Sequence, residues 1–103
     1  MEAVRMNEQY RHGDVLIQRL EKLPQDLSKL PHLILAHGEV TGHCHRLEGK
    51  GELFLGPDGL YLRVEEPGSV VHEEHSPIPL APGCYRVWRQ REYSPEAIRV
   101  VRD

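Results

Sequence analysis

Punctuation limits this chain more than any other feature. Turn-forming clusters recur at His12-Gly13-Asp14, Gly49-Lys50-Gly51, Gly56-Pro57-Asp58-Gly59, Glu66-Pro67-Gly68 and Ala81-Pro82-Gly83. Glycine reaches backbone angles that other residues avoid, proline presets one φ angle, and aspartate bonds local backbone. The runs between these clusters suit strands: Val15–Leu20, Glu52–Leu55, Leu60–Val64 and Ser69–His75. Cys84–Tyr93 and Ala97–Arg102 complete the set, and Pro77 and Pro79 restrict Ser76–Leu80 to an edge. The pattern predicts an all-β fold, a small antiparallel β-barrel or sandwich, with at most one short helical turn near Asp26–Ser28. Residues 1–11 are expected to form an N-terminal arm and residues 12–103 a single β-barrel domain.

Composition narrows the function classes. With 39% hydrophobic and 6% aromatic residues in 103, the core is thin, which favours a homo-oligomer, in the simplest case a dimer. The net charge of −3 offers no basic field for nucleic acid or anionic lipid. There is no apolar run near 18 residues and no signal-peptide pattern at Met1–Tyr10, so a soluble, cytoplasmic protein is expected. Cys44 and Cys84 lack CxxC spacing and read as small buried side chains.

Histidine supplies the chemistry. His43 and His45 flank Cys44, and His72-Glu73-Glu74-His75 follows 27 residues later, far enough to return as a neighbouring strand. On one continuous strand, Leu33, Leu35, His37, Glu39, Thr41, His43, His45 and Leu47 share a face. Gly38 and Gly42 can instead bend the segment into a strand pair. Either way His43 and His45 face together, roughly 7 Å apart at Cα, and can converge on one ion while Cys44 points away. In the second cluster His72 and Glu74 share one face of a regular strand, and Glu73 and His75 the other. His75 joins His72 only through a bulge or turn. His12, His32 and His37, taken singly, read as surface or hydrogen-bonding residues. A proton-active His43/His45 pair beside Glu39 or Glu52 is the alternative without metal.

Placed on strands of a small β domain, these clusters resemble the cupin pattern. Gly38 or Gly42 precedes His43-Cys44-His45, Glu52 is followed after six intervening residues by Gly59, and Pro67 stands five before His72. Three features depart from it. Glu52 lies seven residues after His45, Gly68 touches Pro67 directly, and Ser76 stands where an asparagine is expected. The resemblance implies a divalent transition metal (Zn, Fe, Ni or Mn) on His43, His45 and His72, with Glu52 as a fourth ligand; the strand reading leaves His75 open as a further or alternative ligand, ranked below His72. Neutral imidazoles suit all these ions, and a His-rich set fits catalysis better than structural zinc.

Cys84–Tyr93 alternates Tyr85, Val87, Arg89, Arg91 and Tyr93 on one face with Arg86, Trp88, Gln90 and Glu92 on the other. Arg89, Arg91 and Tyr93 are candidates for binding a small anionic or polar substrate. Amphipathic packing is the plainer reading, and Trp88 can also anchor a dimer. The leading expectation is a small soluble metal-binding β-barrel protein, with metal-dependent catalysis on a small polar or anionic substrate as the activity it would suit. The alternatives are a non-catalytic ligand- or partner-binding module with structural histidines and, less favoured, single-stranded nucleic-acid binding through residues 84–93.

Overall fold

The structure, a computed structural model, describes residues 9–38 and 40–89. The described residues form ten strands and no helix. They are β1 (Gln9–His12), β2 (Val15–Leu20), β3 (Ser28–Lys29), β4 (Ile34–His37), β5 (Cys44–Glu48), β6 (Gly51–Gly56), β7 (Gly59–Val64), β8 (Gly68–His72), β9 (His75–Leu80) and β10 (Gly83–Arg89). A six-stranded sheet has the order β1-β2-β10-β7-β6-β3, and a four-stranded sheet the order β4-β5-β8-β9. All pairings are antiparallel. The sheets do not close on one another, so the fold is a sandwich and not a barrel.

One apolar core lies between the sheets. The larger sheet contributes Val15, Ile17, Leu53, Leu62, Val64, Tyr85 and Val87, and the smaller Leu35, Ala36, Leu47, Val70 and Leu80. Most are alternate residues of their strands, the period that a two-layer β fold imposes. Tyr85, though fully buried, satisfies its hydroxyl by donating to the Ala81 carbonyl at 2.6 Å.

The turn at 56–59 forms as its chemistry predicts, with Gly56 opposite Gly59 and Leu55 opposite Leu60. Asp58 does not bond local backbone there; its carboxylate accepts from the Tyr61 hydroxyl at 2.9 Å. Elsewhere expectations are revised. No helical turn forms at Asp26–Ser28: Asp26 takes a positive φ of 64° and Ser28–Lys29 pairs with β6. Strand β1 begins at Gln9, inside the expected arm, because Tyr10 packs on the core and meets Tyr85 edge to face. Residues 33–47 are a strand pair, with the register shifting between Ile34 and Ala36. That bulge turns both Leu35 and Ala36 inward and leaves His37 exposed beside Cys44, off the face of His45. The predicted strand Ala97–Arg102 lies outside the described residues.

Candidate functional site

Three hairpin ends and the end of β10 meet at one rim of the sandwich. The β1–β2 turn brings His12, Gly13 and Asp14; the β4–β5 loop brings Gly38, Val40 and His43; β5 adds His45. The β8–β9 turn brings His72, Glu74 and His75, and β10 ends there in Arg89. All of these residues but His12 line a cavity of about 300 Å³. His72 and His75 face each other across the two-residue turn Glu73-Glu74, so a turn puts them on one side. Glu73 holds this turn against β5: one carboxylate oxygen accepts from the Cys44 amide at 3.1 Å, the other from Arg46 at 3.1 Å.

The imidazoles are closely grouped. Ring centroids lie 4.4 Å apart for His45 and His72, 4.8 Å for His72 and His75, and 5.5 Å for His45 and His75. One ligand nitrogen from each of these three lies within 4.8 Å of the other two. His45 is buried, His72 half-buried and His75 exposed, so the set runs from the floor of the pocket to its mouth. His43 sits at the side, its ring 5.7 Å from His72 and its Nδ1 3.2 Å from a Glu74 carboxylate oxygen, without the alignment of a hydrogen bond. A second group, His43, His72 and Glu73, is also close enough to share an ion. Its Glu73 is already engaged by Arg46 and Cys44, which favours the three-histidine group.

Gly13 makes the close approach feasible. Its φ is +66°, and a Cβ there would lie 2.9 Å from His75 Nε2 and 3.0 Å from His45 Cε1. Any side chain would therefore meet both rings from a backbone shape that disfavours it.

The sequence does not single out His12, yet it is buried at the centre of the site. Its Nε2 lies 2.9 Å from the Ser76 carbonyl oxygen and its Nδ1 2.9 Å from His45 Nδ1. Asp14 is the second addition. It accepts from Arg89 Nε and Nη2 at 3.2 and 3.0 Å, and its other oxygen stands 3.7 Å from His45 Nε2. Both residues belong to the His12-Gly13-Asp14 cluster, whose turn chemistry hid their side-chain roles.

Electrostatics keep the inner rings neutral. Burial first, then neighbouring His72 and His12, push His45 from 6.5 down to about 4 against the opposing pull of Asp14. Burial likewise lowers His12, with the Ser76 carbonyl opposing and His75 and His72 adding to the fall. A neutral imidazole is the form that binds metal.

Of the residues singled out in the sequence, His43, His45, His72, His75 and Arg89 line this pocket. Glu52 does not. It lies on β6 of the other sheet, opposite Arg63 in register, and pairs with Arg63 and with Lys29 at 3.1 Å. Hydrogen bonds from Lys29 and Arg63 hold its carboxyl below the ordinary range. Arg91, Tyr93 and Glu39 lie outside the described residues.

A family model described as a domain of unknown function, DUF8820, matches residues 11–90. No curated protein and no solved structure matches the chain.

Proposed function

The chain belongs to the DUF8820 family, and from the geometry of its histidine pocket we propose that it binds a divalent transition metal. His45, His72 and His75 are the ligands, with His43 beside them. One observation carries this reading: three imidazole nitrogens from two separate hairpins lie within 4.8 Å of one another at a solvent-open cavity. Three histidines with an open position form a common catalytic donor set for zinc and suit iron or nickel as well. The ligand set that the cupin resemblance implies is met only in part: His72 lies close to both His43 and His45, but among the described residues no group close enough to share an ion contains both of those, and Glu52 lies away from the pocket. The metal would supply Lewis-acid polarisation or an acidified water.

The chain's own residues set what could bind beside the metal. Arg89 is balanced by Asp14, and Glu74 stands at the rim, so a divalent cation turns the pocket from net negative to net positive. A small anion of the size of a simple carboxylate or phosphate fits that charge and volume, with Arg89 orienting it. On composition we further propose a cytoplasmic homodimer, which light scattering on purified protein tests. Among the described residues no helix is long and apolar enough to cross a membrane.

The non-catalytic reading draws on the bonds of His12 to His45 and Ser76, which tie the two sheets together without any ion. Nucleic-acid binding through β10 loses ground, because Tyr85 is fully buried and Arg86 lies 5.0 Å over the Trp88 ring.

Metal analysis of untagged protein, with titration of Zn, Ni, Mn and Fe(II), tests the proposal. The expected result is about one equivalent per chain, lost in His45→Ala. Uptake below about one tenth of an equivalent for every ion, measured on folded protein, overturns it.

A further inference from the structure

The buried pair His12 and His45 settles where one proton sits. A carbonyl oxygen only accepts, so His12 Nε2, 2.9 Å from Ser76 O, must carry a hydrogen. A neutral His12 then has a lone pair at Nδ1. The 2.9 Å contact between the two Nδ1 atoms needs one hydrogen, which His45 must supply. His45 Nδ1 is therefore protonated and its Nε2 carries the lone pair, the nitrogen that stands 3.7 Å from Asp14. Burial of His12, 2% exposed, favours its neutral form and so the chain of donors in this order.

We propose that His12 is a positioning residue that fixes the tautomer and ring orientation of His45, so that Nε2 is the atom His45 offers to a ligand. The metal-binding role of that atom rests on the reading above; the tautomer does not. Ligating histidines are commonly oriented by such a partner on the other ring nitrogen, and its loss weakens metal binding roughly 10–100-fold. Here the partner is a second imidazole on the other sheet, itself aimed by the backbone of Ser76 on β9. His72 has the opposite arrangement. Its Nδ1 accepts from the Glu74 amide at 2.9 Å, so a neutral His72 carries its hydrogen on Nε2 and must surrender that bond to coordinate there. His45 is thus the one ring of the three whose observed hydrogen bonding presents a ready Nε2 lone pair.

Two substitutions separate positioning from mere packing. In His12→Asn the amide oxygen falls near the place of Nδ1 and can accept from His45, but nothing reaches Ser76. In His12→Gln the amide nitrogen falls near the place of Nε2 and can reach Ser76, but no acceptor faces His45. Nitrogen-15 NMR of the full chain with chelator at pH 8 reads the tautomer directly, and competition with a chromophoric chelator reads Zn²⁺ affinity. The expected result is a protonated Nδ1 and bare Nε2 on His45 in wild type and His12→Asn. In His12→Gln the two forms should mix, and Zn²⁺ should bind roughly 10–100-fold more weakly than to wild type. A wild-type His45 protonated at Nε2, or a His12→Gln variant that keeps both wild-type tautomer and affinity, overturns the inference. If wild type binds no Zn²⁺, the metal reading fails alone, and the NMR tautomers still decide the role of His12.

Discussion

Acid should loosen this fold well above the pH at which carboxylates protonate. His45 titrates at about 4 in the folded chain and near 6.5 when unfolded. Its depressed value means that the unfolded chain takes up the proton first as pH falls. The contribution to stability is therefore complete above about pH 6.5, lost progressively down to about 4, and flat below. One such group makes unfolding easier by about 2 kcal/mol at pH 5 and by roughly 3 kcal/mol once both states are protonated. His12, also lowered, acts in the same direction. Glu52 and Glu73, held below their usual range, lose their contribution only as pH falls below the carboxylate range near 4.5, so the interval from 7 to 5 isolates the histidines. Urea unfolding followed by far-ultraviolet circular dichroism, with chelator present at each pH, measures the effect. A midpoint that stays constant between pH 7 and 5 would refute the buried, neutral His45, as would a His45 ring titrating near 6.5 by NMR.

Three further outcomes follow from particular contacts. Gly13→Ala should lower stability by about 1 kcal/mol through its φ of +66° and should also weaken metal binding, because the new methyl meets His75 and His45; urea unfolding and Zn²⁺ competition check both. Glu52→Gln should leave metal affinity unchanged, since that carboxylate serves Lys29 and Arg63; a clear loss of affinity would return it to the ligand set. Tyr85→Phe should destabilise by about 1 kcal/mol without altering metal binding, as the hydrogen bond from its hydroxyl to the Ala81 carbonyl is lost; urea unfolding and Zn²⁺ competition check both.

What the sequence disclosed depends on the distance over which each feature is determined. The 56–59 hairpin was legible because its turn chemistry lies within four residues, and that turn also fixes the register of the strands on either side. Pairing Leu55 with Leu60 extends by register to Glu52 opposite Arg63, so the hairpin alone already assigns Glu52 a cross-strand cation. Motif spacing had pointed instead to the metal, and local register is the stronger constraint. The face of His37 was not legible, because a single-residue bulge near Leu35 reverses the alternation and nothing in the residues announces it. His12 was hidden for a different reason: its partners are 33 and 64 residues away, so nothing local shows which groups its ring meets.

Of the five histidines that converge, all but His45, which lies inside β5, sit beside a hairpin end. His12 immediately precedes the Gly13-Asp14 turn, His43 closes the β4–β5 loop, and His72 and His75 flank Glu73-Glu74. In a sandwich of this size the interior must be apolar to hold together, as the Val, Ile and Leu residues between the sheets show. Polar chemistry is displaced to the rim, where antiparallel hairpins end side by side. Histidines next to turn signals are thus the ones to group, even when a long stretch of chain separates them. The rule brings His12 together with His72 and His75, but adjacency to a turn is not sufficient: His37 ends β4 beside the loop that His43 closes, and the bulge before it leaves its ring exposed and off the face of His45.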